Sequence, residues 1–535
     1  MRTLGWVLCV ALLAPAAVAD EGHHGHELTA EGLGTVSFPT SCSEAVEKQM
    51  ERGVALLHSF WYGEAERTFA AAAKQDTKCA MAHWGVAMSL WHPLWDPPEK
   101  EELKRGLASL EKAGKLAATP REQQYIAALK TFYSGWETKD FRTRALAYEQ
   151  AMAKVHEQNP EDREAAIFYA LSLLATEDPK DKTYANQQKA GRILNELLPE
   201  MPNHPGIAHY LIHSFDHPGI AEQGLEAARR YAAIAPASSH ARHMPSHIFT
   251  RLGLWQESEK SNRSAIEAAD AAMAQGKQGL GDKLHAMDYA AYASLQRGEE
   301  QEAERLTREA ESMAKDAKSG ARRAAFGYAL IGSRYALERR QWGEAAAMWV
   351  PERASAEPQA LVYWTRTVGA ARSGDAELAR KELAKLRAAV RDIGGDTSGY
   401  GWHPGDLEVE TARAWVAQAE GRSEEAEQRL RAAAEREEEG ELGAIAYPPI
   451  VPAREMLADL LMELQRPAHA LAEYEDTLKD SPDRFNALYG AAHAAELAGK
   501  SESAEKYYGR LLKVSGSEQA TRPEVARAKS AVKGD

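Results

Sequence analysis

Apolar residues recur three and four positions apart over almost the whole chain, and the alternating pattern of a half-buried strand is nearly absent. Ala, Leu, Glu and Arg dominate, all residues that hold a helix well. The pattern predicts an all-helical (all-α) protein. It also repeats on a longer scale. An apolar helix ends, a short turn carrying Gly with Trp or Tyr follows, and an acidic residue beside Ala or Ser opens the next helix. HSFWYGEAERTFAAA, RLGLWQESEKSNRSA, ERRQWGEAAAMW, AEGRSEEAEQRLRAA and ELAGKSESAEKYYGRL are instances. Their spacing clusters at roughly 34 to 47 residues, the length of one helix pair.

These phrases, together with YEDTLKDSPDRFNALYGAAHAAELAGK, resemble the tetratricopeptide-repeat family over about residues 44 to 515. The resemblance implies antiparallel helix pairs stacked as a superhelical solenoid, with the first helix of each pair lining a concave groove. Such a stack buries its core only through its neighbours and behaves as one unit. That unit is placed at 41–520, between a flexible segment at 20–40 and a tail at 521–535. More narrowly, HYLIHSFDHPG, HARHMPSHIFTRLGLW, SFPTSC and HSFWYGEAE resemble segments of exported bacterial tetratricopeptide-repeat proteins, a likeness that brings no reaction with it.

The first nineteen residues, MRTLGWVLCVALLAPAAVA, combine Arg2, a short apolar stretch and a small-x-small ending before Asp20. They predict a secretory signal cleaved after Ala19, and therefore a periplasmic or secreted protein. No later stretch is long and apolar enough for a transmembrane helix. Loss of Arg2 takes the formal net charge from −14 to −15, which argues against nucleic acid as a partner. Cys42 and Cys79 stand 37 residues apart, about one repeat, and are expected to form either a disulfide or two buried thiols. Pro- and Gly-rich breaks at 92–99, 176–184 and 392–406 read as loops. The last holds Tyr400, Trp402 and His403, which would serve as a lid or a repeat cap. His23, His24 and His26 fall in the flexible segment, and Trp61, Trp84, Trp91 and Trp95 read as core of the first repeats.

The histidines change the picture. Seven of eighteen lie between His204 and His247. Counting back thirteen, ten and six residues from Gly219 gives Gly206, His209 and His213; from Gly253, His240, His243 and His247; from Gly298, His285, Asp288 and Tyr292. Offsets of three and four share a helix face. The same offsets elsewhere give Glu47, Met50 and Val54, then Gly327, Leu330 and Arg334, then Leu361, Trp364 and Val368. The solenoid does not itself call for imidazole there, so the cluster at 204–292 marks a local site in the groove.

Several imidazoles and a carboxylate on neighbouring helices suit a transition-metal ion, zinc, iron or copper. The expected ligands are His213, His243, His247 and Asp288, converging to roughly 3–5 Å. His209, Asp216, His217, His240, His285 and Tyr292 stand as further ligands or as their hydrogen-bonded supports. The glutamate of a zinc-protease motif is missing between His243 and His247, and no nucleophile elbow frames Ser246. Pro245 interrupts the helix carrying the pair, so it either starts there, leaving His240 and His243 on a loop, or kinks. His217 precedes Pro218, so its helix is expected to end near it. The function expected is a solenoid with a metal site that binds a protein, peptide or small-molecule ligand or supports metal-assisted chemistry. The alternative is a metal-free scaffold that grips a peptide in the groove. Whether it is an enzyme stays open.

Overall fold

A computed structural model describes residues 32–94, 97–116, 119–317, 321–393, 405–439, 448–516 and 520–532. The first nineteen residues, His23, His24, His26, Trp95 and Tyr400, Trp402 and His403 lie outside these. Among the described residues every regular element is a helix, and consecutive helices pack in antiparallel pairs, giving an all-α solenoid of the tetratricopeptide-repeat type. No described helix is long and apolar enough to cross a membrane.

Several of the turns between paired helices hold one residue in the left-handed region. Gly253, Gly298 and Gly374 are among these residues, as are Phe60 and Arg340, with φ between 52° and 84°. Gly253 is required twice over, because a Cβ there would stand 2.4 Å from the Pro482 carbonyl oxygen. Gly219 is not in this conformation. Its turn is longer and runs through a short 3₁₀ segment, Ala221–Gly224, before the helix Leu225–Ile234.

The superhelix is wound tightly enough for its inner helices to meet across the axis. Glu47–His58 touches Pro205–Phe215, and Leu280–Gln296 touches Phe485–Leu497. The open groove expected from the repeat pattern is therefore taken up by the chain's own inner helices. Two apolar cores result, one running from Leu33 to Phe249 and the other from Leu284 to Ala528.

Both margins of the stack depart from the sequence reading. Residues 32–40 are not loose: Leu33, Val36 and Phe38 are buried, and the Phe38 ring packs on Trp84 and Tyr125 at 5.5 and 5.7 Å. Thr35 N–H donates to the Asn203 carbonyl and Ala237 N–H to that of Gly32, both at 3.0 Å. The strap thereby crosses several repeats. Cys42 and Cys79 are joined by a disulfide, with Cα atoms 4.6 Å apart. At the other margin the expected tail contains a helix, Pro523–Val532, that buries Val525 and Ala528. Trp61 is half-buried, whereas Trp84 and Trp91 belong to the core.

The second core closes on a charged centre. Arg484, fully buried, is paired with Glu455 at 2.5 Å and with Glu338 at 2.6 Å, and donates to the Tyr292 hydroxyl at 3.0 Å. Phe485 N–H donates to Gln296 and Trp255 Nε1–H to the Asp483 carbonyl, each at 2.8 Å. Truncating Arg484 leaves two buried carboxylates without their cation, which costs about 3–5 kcal/mol. Arg484→Ala should accordingly lower the midpoint of thermal or urea unfolding clearly, and a midpoint equal to wild type would show that this network does not hold the closure.

Candidate metal centre

The imidazoles come together on the inner helices at the junction of the two cores. Pro245 divides their middle support into Ser239–His243 and Pro245–Arg251, with Met244 between them still in right-handed helical conformation. Met244 N–H still reaches the His240 carbonyl, and His247 N–H turns to that of Met244, three residues back. The break therefore keeps His240, His243 and His247 nearly in helical register, where a helix start at Pro245 would have set the first two on a loop. The helix bearing His209 and His213 ends at Phe215, two residues before His217.

Two triads form, with the ligand atoms of each within 4.8 Å of one another: His209, His213 and His240, and beside them His243, His247 and His285. Each joins the ten- and six-residue offsets of one repeat to the thirteen-residue offset of the next. The stack is thus read diagonally, not at equal offsets. His213 approaches the second triad only as far as a 6.4 Å ring separation from His247. Asp288 takes no part: its carboxylate accepts from Arg334 Nε and Nη2 at 2.9 and 3.1 Å. Tyr292 goes with it, under the Arg334 guanidinium. His217 lies apart, its ring over Tyr184 and its Nε2 3.5 Å from the Gln187 amide nitrogen.

Hydrogen bonds fix which nitrogen faces inward. Asn262 donates its amide to the Ser258 carbonyl, so its oxygen is the atom 2.6 Å from His243 Nδ1, and that nitrogen must carry the proton. His247 Nδ1 donates to Asp216 at 2.7 Å, and Arg251 holds the other carboxylate oxygen at 2.8 Å. His209 Nδ1 donates to the His58 carbonyl at 2.6 Å. Each of these rings thus turns an Nε2 lone pair into the cluster. His243 and His247 Nε2 stand 2.9 Å apart, and no neutral tautomer puts a proton between them. Ser246 lies on the Nδ1 side of His243, 3.4 Å away, and is not aimed at these lone pairs.

Protonation is an expensive remedy. Burial, followed by the neighbouring His285 and His247, pushes His243 well below its ordinary value. Burial also holds His209, His240 and His285 well down and takes His213 to about 3. Asp216 is pushed up by burial, but Arg251 and His247 outweigh this and keep it ionised. An ion is the other remedy: ligands at ~2.0–2.1 Å from a metal stand ~2.8–3.4 Å from each other, and the 2.9 Å between His243 and His247 Nε2 falls in that range.

A third cluster shows how such groups look when no ion is called for. Glu164 accepts from His58 Nε2 at 2.9 Å and His204 Nε2 at 2.8 Å; Tyr210 O–H donates to His58 Nδ1 at 2.9 Å, and Ile207 N–H to His204 Nδ1 at 3.4 Å. Every nitrogen has a partner of the right kind. Glu164, His58, Asn262, Arg251 and Tyr289, whose ring stacks on His247 at 4.9 Å, are functional or supporting residues that the repeat offsets did not reveal. The two triads are nearly sealed, His240 and His285 being their half-buried members. A cleft lined by Phe60, Trp61, Ser238, Gln278 and Asp282 reaches His240 from outside.

No protein family matches the chain, and no curated protein does. Among solved structures, a tetratricopeptide repeat protein from Parabacteroides merdae is 12% identical over 55% of this chain and 97% of its own, at a TM-score of 0.28. Human IFIT1, solved as a dimer with m7Gppp-AAAA, is 13% identical over 82% of this chain and 90% of its own, at 0.37. A chain of the APC/C hetero-tetramer Cut9-Hcn1 is 11% identical over 90% of each, at 0.32. Superpositions this loose carry no argument about what this chain does.

The depressed histidines set a pH dependence. Each stays neutral in the folded protein while the unfolded chain takes up a proton below ~6.5. Folding stability of the metal-free protein should then be full above that value and fall as the pH drops below it, by up to ~1.4 kcal/mol per pH unit for each buried imidazole. Urea titrations at pH 7.5, 6.5 and 5.5 check this; a flat profile would mean that these histidines take up protons while folded.

Proposed function

We propose that this chain is an exported helical-repeat metal protein that holds a transition-metal ion on His243, His247 and His285. The observation that carries the reading is the pair of Nε2 lone pairs facing each other at 2.9 Å, with both Nδ1 protons committed to Asn262 and Asp216. All-imidazole ligand sets of this kind suit zinc, copper or iron. An ion there polarises a bound small molecule or activates water. What the chain's own residues do is exclude bulk solvent, fix the three rings and keep them unprotonated. The cleft at His240 gives the ligand its way in. The leader-like first nineteen residues support export, as does the Cys42–Cys79 disulfide, a bond that persists in oxidising compartments.

Elemental analysis of the purified chain after metal loading and desalting should find tightly held zinc, copper or iron. His243→Ala with His247→Ala should remove one equivalent while the far-ultraviolet dichroism stays that of wild type. Asn262→Ala frees the His243 tautomer and should weaken binding roughly 10–100-fold. A wild-type chain that leaves desalting with no ion at all ends this reading.

A further inference from the structure

The second triad is left without a task by the reading above, and it is built the same way. We propose that His209, His213 and His240 form a second transition-ion site, so that the chain carries two neighbouring ions across the junction of its cores. The proposal rests on the reading of the first triad. His209 is its fixed point, because the proton given to the His58 carbonyl leaves Nε2 bare. That one lone pair has two imidazoles at equal distance, His213 Nε2 and His240 Nε2, both at 3.1 Å. A single lone pair accepts one good N–H bond; two nitrogens at the same separation are what ligands around a shared ion adopt.

The same construction occurs twice, one repeat apart: two imidazoles four residues apart in near-helical register and a third from the first half of the next inner helical segment. The contrast with His58, His204 and Glu164 is chemical. There a carboxylate stands between the two imidazoles and answers both protons, whereas each triad groups imidazoles alone, the Asp216 carboxylate lying behind His247 on its outer nitrogen. The ring separations between triads, 6.2 Å for His240 to His243 and 6.4 Å for His213 to His247, put the two sites side by side. Six neutral ligands, with Asp216 behind one of them already shared with Arg251, would leave most of the charge of two divalent ions to be balanced, which a small anion such as hydroxide would supply. His240, half-buried at the cleft, is the member through which ion and anion arrive.

Copper(II) is the probe, since it heads the affinity order for imidazole sites and its unpaired electron reports a neighbour. The full chain, titrated with copper(II) chloride and desalted, should retain two equivalents, with paramagnetic resonance intensity well below the copper content because the two spins couple. His209→Ala with His240→Ala should retain one equivalent with full intensity, and so should His243→Ala with His247→Ala. His240→Gln alone, a milder change at a half-buried position, should give the same loss if the double variant does not fold. One equivalent in the wild type that His209→Ala with His240→Ala leaves untouched overturns the second site and spares the first. One equivalent in the wild type that both double variants lose points to a single shared ion and overturns the pair. No copper in the wild type ends both readings.

Discussion

Inner helices that pack across the superhelix axis are the constraint from which the other features follow. A helix pair in a stack covers its two flanks with its neighbours, and its inner face is normally left to solvent or to a ligand. Here Glu47–His58 and Leu280–Gln296 each find a helix several repeats further on, so the inner face becomes interior. Polar groups on that face must then be answered within the protein. In the second core guanidinium–carboxylate pairs do this: Arg484 with Glu338 and Glu455, and Arg334 with Asp288. In the first core it is done by imidazoles.

Imidazole is a different kind of answer because it has both a donor and an acceptor, and a choice of which nitrogen is which. At His58 and His204 the choice is settled by a carboxylate on one side and a hydroxyl or amide on the other. At His243 and His247 the outer nitrogens are settled first, by Asn262 and Asp216, and the inner ones are left facing each other. The same residue type therefore has its nitrogens answered in one cluster and lone pairs set face to face in the other. What separates them is the atom behind each ring.

The helices and their pairing were legible in the sequence because apolar spacing and turn chemistry are local, and the left-handed residues of several turns sit at the repeat positions Phe60, Gly253, Gly298, Arg340 and Gly374. The concentration of imidazoles was legible too, against repeats that carry none at the same offsets. Their grouping was not, since equal offsets place Asp288 beside His243, whereas the stagger between helices brings His285 there instead, and Asp288 pairs with Arg334. Nor does any pattern mark Asn262, a polar residue on an outer helix that matters only because its amide is pinned by Ser258. The order of residues 32–40 was missed because a strap without periodicity resembles a loose leader, and only the slot between Trp84 and Tyr125 explains Phe38.

The disulfide and the strap also bear on where this protein opens. A linear array ordinarily peels from its outermost units, which have a neighbour on one side only. Here the first helices are tied by a crosslink spanning 37 residues, which restricts the unfolded chain by roughly 4 kcal/mol. The last described helices are sewn to the middle through Gly298, Gln296 and Tyr292. With both outer units fastened, the cheapest breach lies in the interior, at the seam where one apolar core stops and the other begins. Six rings that share ions across that seam would act as its keystone.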